Sequence, residues 1–267
     1  MKQGEIEELV SQSVQGSKTA LNRLIYHIQD DIFNLALRML GKPEDSRDAT
    51  QEILLKIVTH LSGFRGESNF RTWYYRIACN YLLNYRQKLG YNKNISFDEL
   101  GSILESGLSE MSFQDEQEKR LLTEKVKTAC TIGILQCLTE EARLVYVLGE
   151  ILQINSVTGS KLLGMNEANF RQLLSRSRKK ITSFTQSYCG IVNPNAKCSC
   201  AKAVTRAVNA GFIDLKDPTL AISRNNVDLK SKLDMLVDRT KGLFQNTPSF
   251  AAPEEIWLEV KSLLETN

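Results

Sequence analysis

The chain has 267 residues, 42% of them hydrophobic and 24% charged, a length that suits two modest domains better than one large core. With 34 Lys and Arg against 31 Asp and Glu, its net charge of +3 is too small to announce nucleic-acid binding by itself. No apolar run approaches the ~20 residues of a membrane span, and the N-terminus lacks a signal peptide, so a soluble, cytoplasmic chain without membrane insertion is expected.

In chain order, Leu21, Leu24, Ile25, Ile28, Ile32, Leu35, Ala36 and Met39 recur at helical spacing until Gly41-Lys42-Pro43 stops them. A second helix follows, with Glu44, Asp45 and Asp48 at its start and Ala49, Ile53, Ile57 and Leu61 as its inner face. Asp48, Gln51, Glu52 and Leu55 share another face, which suits either solvent or a basic partner surface.

The run "FRGESNFRTWYYRIACNYLLNYRQK" belongs to a stretch, Phe64 to Tyr91, that holds eight of the 20 aromatic residues. Trp73, Tyr74, Ile77, Ala78, Tyr81, Leu82 and Tyr85 predict the packed face of an amphipathic helix, and Arg76, Asn80, Asn84 and Lys88 its polar face. Rings beside Arg and Asn also suit single-stranded nucleic acid, since any base stacks on a ring while cations track the backbone. Tyr74, Ile77, Tyr81 and Tyr85 read as core; Trp73 and the loop Phe64 to Phe70 stay open between the two roles.

Between Ile95 and Glu118 there are seven acidic residues and no basic one, which reads as a linker. Helical patterning returns from Leu121 and continues through "LTEEARLVYVLGEIL", with Thr139 as N-cap. "INSVTGSKLLGMNEANFRQLLSRSRKKI" then reads as helix, turn at Gly164-Met165-Asn166, and helix. On the second of these helices Asn169 and Arg171 are placed to read bases, and Arg176, Arg178 and Lys179 to hold phosphates; the plainer alternative is a solvated basic helix.

Taken in order, the "EDSRDATQEILLKI" helix, the aromatic run, the acidic linker and the helix-turn-helix resemble the bacterial extracytoplasmic-function sigma factors, over about residues 20 to 185. The resemblance implies an all-α chain: residues 1–90 as sigma region 2, 91–120 as a flexible acidic linker, 121–187 as region 4 with the helix-turn-helix, and 188–267 as a C-terminal helical extension. It implies that Asp45, Asp48, Gln51 and Glu52 bind the RNA polymerase core. Phe64, Arg65, Asn69, Arg71, Trp73, Arg76, Asn80 and Asn84 would melt and hold the minus-10 element of promoter DNA. Asn169, Phe170, Arg171 and Arg176, with Arg178 and Lys179 on the backbone, would meet the minus-35 element. Core polymerase and promoter DNA are the implied partners, an anti-sigma factor is a candidate third, and polymerase performs the chemistry. Two positions depart from the pattern: Val157-Thr158-Gly159 predicts a weak first helix, and Cys79 stands where an arginine is common.

The extension carries Cys189, Cys198 and Cys200, three thiols within 12 residues. They suit a soft metal ion in three-coordinate form or as three quarters of a zinc site, with Cys130, Cys137, a carboxylate or water as fourth ligand. No other cofactor is expected. Thiol switching and inert packing are the alternatives for these cysteines. Two other function classes compete: a stand-alone helix-turn-helix regulator, which needs neither the acidic face nor the aromatic run, and an enzyme with Cys189 as nucleophile, which lacks a histidine nearby in sequence.

Overall fold

The computed structural model describes residues 3–88, 95–106, 108, 113–209, 213 and 238–265. Tyr91 and the break at Asp217-Pro218 lie outside the described residues. The helices are α1 (Gln3–Val14), α2 (Lys18–Leu40), α3 (Pro43–Thr59), α4 (Phe70–Lys88), α5 (Phe97–Glu105), α6 (Glu116–Gln136), α7 (Glu140–Tyr146), α8 (Ser156–Leu163), α9 (Glu167–Tyr188), α10 (Val204–Asn209), α11 (Arg239–Gln245) and α12 (Glu254–Glu265). Among the described residues there is no strand, and β pairing is limited to a single bridge between Cys189 and Cys198. The all-α expectation therefore holds. The chain forms two compact units, one of residues 1–91, 160–166 and 251–267, the other of 92–159 and 167–250.

In the first unit α2 is the central helix. Ser17 caps it by accepting from the Ala20 N–H, and Gly41 ends it in the left-handed conformation (φ 81°), its N–H bonded to the Leu37 carbonyl. Pro43 then opens α3, where its missing N–H costs nothing. Leu24, Ile25, Ile28, Ile32 and Phe33 of α2 and Ile53, Leu54 and Ile57 of α3 are fully buried. α4 closes the bundle, and Asp31 of α2 anchors it: the Tyr74 hydroxyl donates to Asp31 at 2.7 Å and Arg71 pairs with the same carboxylate at 3.6 Å.

α12 also belongs to this unit, against α2 and α3. Ile256 and Val260 are fully buried, Trp257 meets Tyr26 edge to face at 6.0 Å, and the Ala252 N–H donates to Asp30. The region read as one extension, 188–267, is thus divided: α12 joins the first unit, while α10 and α11 lie in the second.

The second unit corrects the linker. Inside the stretch 91–120 lie α5 and the start of α6. Ser96 and Glu99 form a capping box, and Leu100 and Leu104 bury one face of α5. Arg206 of α10 caps the other end, donating to the carbonyls of Ile103, Leu104 and Ser106 at 2.9 to 3.0 Å. Arg143, wholly buried, does the same for α6 through Leu135, Gln136 and Leu138. Thr139 stands at the N-cap of α7 without a side-chain cap bond, and α7 runs into a π turn over Val147–Ile151.

Candidate nucleic-acid interface

The sequence divides α4 into packed and polar faces, and the structure redraws that line. Tyr74 and Tyr75 are buried, yet Tyr81 and Tyr85 are only half-buried and stack on each other at 5.4 Å. With Lys56, His60, Ile77, Asn80 and Asn84 they line an open groove of about 690 Å³. Tyr81 and Tyr85 therefore leave the core reading and join the site, as do Lys56 and His60 from α3 and its end. The signal available in sequence was their i, i+4 spacing beside Asn80 and Asn84, one residue removed from each.

Lys56 lies 5.9 Å from the centre of the Tyr81 ring, a cation over a π face. Burial and then the neighbouring Glu52, Tyr85 and Asp48 push the Tyr81 phenol up to about 12, so it stays a neutral ring with a hydroxyl donor at physiological pH. Glu52 and Asp48 lie one and two helical turns before Lys56 on α3. Both are exposed on α3, with Gln51 and Asp45 half-buried on the same helix. Asn80 and Asn84 are exposed on the rim, where an amide offers both donors and an acceptor to a base edge.

The loop and first turn of α4 form a second aromatic group. Phe64, Phe70 and Trp73 lie with ring centres 5.5 to 5.6 Å apart, Phe70 and Trp73 stacked. Phe70 is buried, whereas Phe64 and Trp73 are half-exposed. Asn69 serves as N-cap, accepting from the Thr72 N–H at 2.7 Å. Arg71 is tied to Asp31 and to the Tyr75 ring at 5.4 Å. These two residues build the helix start. Arg65 and Arg76 are exposed, and Cys79 is fully buried, so it offers nothing to a DNA backbone.

α8 and α9 follow one another across residues 164–166 as the sequence expects, but residues 160–166 group with the first unit and α9 with the second, which divides the stretch 121–187 read as one domain. Val157-Thr158-Gly159 does form helix, and Gly159 is required there: a Cβ on it would stand 2.5 Å from the Phe170 ring. Phe170 is fully buried, which removes it from the base-reading set. Arg178 is also redirected, because it pairs with Glu150, a carboxylate buried on the π turn whose backbone carbonyl accepts from Gln245 at 3.1 Å. Arg171 pairs with Glu167, which holds Ser156 at 2.7 Å, and stays exposed. Asn169, Arg176 and Lys179 are exposed on α9. Cys189, Cys198 and Cys200 are half-buried after α9.

Residues 24–90 match the family model Sigma-70 region 2. The RNA polymerase sigma-H factor of Pseudomonas aeruginosa is 34% identical over 85 residues, 32% of this chain and 44% of that protein, so this match spans less than half of the relative's length. The ECF RNA polymerase sigma-E factor of Escherichia coli is 26% identical over 182 residues, 67% of this chain and 93% of that protein. The solved structure titled "Structure of CnrH in complex with the cytosolic domain of CnrY" aligns with a TM-score of 0.48 at 20% identity, covering 68% of this chain and 97% of that one. Residues 24–90 thus match sigma-70 region 2, and over two thirds of its length the chain is similar to an extracytoplasmic-function sigma factor.

Proposed function

We propose that this chain brings bacterial core RNA polymerase to promoters and helps open them, contributing no catalytic group of its own. One observation carries the reading: within the region 2 match, Tyr81, Tyr85, Asn80 and Asn84 of α4 line an open groove with Lys56 of α3, and the exposed acids Glu52 and Asp48 lie one and two turns before Lys56 on that helix. In this reading Asp48 and Glu52, with Gln51 and Asp45, dock on a basic surface of the polymerase. Tyr81 and Tyr85 stack flipped bases, Asn80 and Asn84 meet their edges, and Lys56, Arg76 and Arg65 follow the phosphates. Phe64 and Trp73 stand where the duplex would part. Asn169 and Arg171 then read the minus-35 duplex, with Arg176 and Lys179 on its backbone.

The proposed partners are core polymerase, promoter DNA and an anti-sigma factor. No described helix is long and apolar enough to cross a membrane, and we place the protein in the cytoplasm with its polymerase. The test is transcription in vitro from genomic promoter fragments with bacterial core polymerase and the full chain. Specific initiation is expected, and it should fall with Asp48→Lys/Glu52→Lys while duplex binding persists. Duplex binding without initiation in the unaltered chain would instead identify a stand-alone regulator.

A further inference from the structure

Within the second unit, α11 of the C-terminal extension packs against the π turn over Val147–Ile151 and against α9. Phe244 has no exposed surface, and Leu243 and Thr240 are almost as deeply buried. The Phe244 ring meets that of Tyr146 edge to face at 5.5 Å, and the hydroxyls of Thr240 and Thr185 share a hydrogen bond at 2.9 Å. Asp238 caps the helix by accepting from the Lys241 N–H at 2.9 Å. A helix seven residues long is held here by its packing rather than by its own propensity.

Under this helix lies a buried carboxylate. Gly149 lets the π turn approach α9, since a Cβ there would stand 2.7 Å from Leu174, and the next residue, Glu150, is only 2% exposed. Its carbonyl and both carboxylate oxygens are engaged. Gln245, the last residue of α11, donates to the carbonyl at 3.1 Å and to Oε1 at 3.4 Å, while Arg178 of α9 pairs with Oε2. Arg178 reaches in from solvent, its side chain keeping 51% of its surface. It stands seven residues after Arg171, so the two share one face of α9 about 10 Å apart along the axis. On the helix proposed to enter the groove, that place suits a phosphate of the flanking backbone.

We propose that α11 sets the grip of α9 on DNA: docked, it keeps Glu150 dry and Arg178 paired with it; lifted, it lets water reach Glu150 and frees Arg178 for a DNA phosphate. This deepens the promoter reading and rests on its placing α9 against a duplex. The reason is solvation. A carboxylate shut away from water must stay paired, because leaving it alone in the interior is far more costly than leaving it in solvent. Once hydrated, the same ion pair has the small worth of a surface pair, and the dense charge of a DNA backbone competes for the guanidinium. Arginine suits both states, since its planar fork fits a phosphate as well as a carboxylate.

The other ion pair of this helix supplies the contrast. Glu167, the partner of Arg171, keeps 39% of its side-chain surface, so that pair is already wet and yields to DNA without any help from the extension. Gln245 is a neutral amide and adds no charge to the site. What α11 contributes is therefore cover and two hydrogen bonds, and its effect on Arg178 passes through Glu150. Glu150 is thus a positioning residue for DNA binding, and α11 is the element that controls it.

The experiment uses the full chain and a fluorescently labelled promoter duplex of about 30 base pairs, with affinity read by anisotropy between about 50 and 200 mM salt. Glu150→Gln keeps the shape and the acceptor for Gln245 but removes the charge that holds Arg178. It should bind more tightly, and the slope of log affinity against log salt should steepen by about 0.9, so the gain shrinks about threefold across that range. Arg178→Ala should change affinity by less than about twofold on its own, yet abolish the gain in Glu150→Gln. Phe244→Asp, which drives α11 off Tyr146, should reproduce the steeper slope only with Arg178 in place, with faster amide exchange in residues 239–245. No gain in Glu150→Gln, or a gain that survives Arg178→Ala, overturns the proposal. So does a tenfold loss on Arg178→Ala alone, which would put Arg178 on DNA already. Should Phe244→Asp lose helicity by circular dichroism, Gln245→Ala takes its place with the same deciding outcomes. Arg176→Ala tests the promoter reading separately: weaker binding with a shallower slope is expected, and unchanged binding refutes that placement of α9 whatever Arg178 does.

Discussion

Phe170 is the residue on which structure and family resemblance disagree, and replacing it with alanine decides between them. A side chain that reads DNA can be truncated with little effect on the free protein. Phe170, by contrast, has no exposed surface and packs so closely that a Cβ on Gly159 would come within 2.5 Å of its ring and one on Gly149 within 3.3 Å. A buried phenylalanine covers about 200 Å², worth at most about 5 kcal/mol at about 25 cal/mol per Å². Truncations of this type in cores cost about 3–5 kcal/mol. Amide hydrogen exchange along α9, followed by mass spectrometry of the full chain, reads this directly. Protection of the turns from Leu174 to Ile181 should fall by roughly 150- to 5,000-fold, or to the limit set by the stability of the unit. Phe170→Leu should lose less than about 1.5 kcal/mol. If Phe170→Ala exchanges like the unaltered protein while minus-35 duplex binding drops tenfold, the packing argument is wrong and the residue reads DNA.

Tyr81→Ala, and separately Tyr85→Ala, should weaken binding of polymerase holoenzyme to a single-stranded non-template oligonucleotide by about 1–3 kcal/mol while duplex binding is unchanged; equal affinity would remove the groove from the melting step. Arg206→Ala strips α5 of a charged cap on three carbonyls, a loss of about 1.5–3 kcal/mol that should appear as faster amide exchange in residues 97–105 and nowhere in α2. Burial pushes the Cys79 thiol up to about 12 from an ordinary 9, so above pH 9 the unfolded chain ionises first and stability falls as pH rises. For this thiol the loss is about 1.4 kcal/mol per pH unit between those limits. Urea melts followed by tryptophan fluorescence, which reports the first unit because Trp73 and Trp257 both lie there, should show a shallower loss from pH 9 to 10.5 for Cys79→Ala; parallel losses would refute the assignment.

Much of this was legible from spacing alone, because α2, α3, α4 and α9 each carry a long apolar stripe bounded by glycine, proline or a cap. α5 was missed since acids, serines and glycines dilute its short stripe. Yet its signature was present as Ser96, Glu99, Leu100 and Leu104, a capping box ahead of an apolar pair. Phe170 was misplaced because family register was favoured over its own helix, where Phe170, Leu174, Ser177 and Ile181 form one buried stripe. Tyr81 and Tyr85 were put in the core by periodicity, which shows the side of a helix but not where its covering ends. Cys130 was one of several candidates to join the later cysteines, and nothing in one dimension could choose it over Cys137 or bring α12 to α2, since those meetings depend on how helices pack.

The position of α12 has a consequence in time. The Ala252–Asp30 hydrogen bond joins residues 222 apart in sequence. A ribosome adding about 5–20 residues per second needs roughly ten to forty-five seconds to travel that distance. Until that distance has been travelled the surface that buries Ile256 and Val260 lacks α12, although α2, α3 and α4 are made early in the interval. The first unit therefore receives its last segment only after every residue of the second has been made, so its folding carries a slow, long-range closing step.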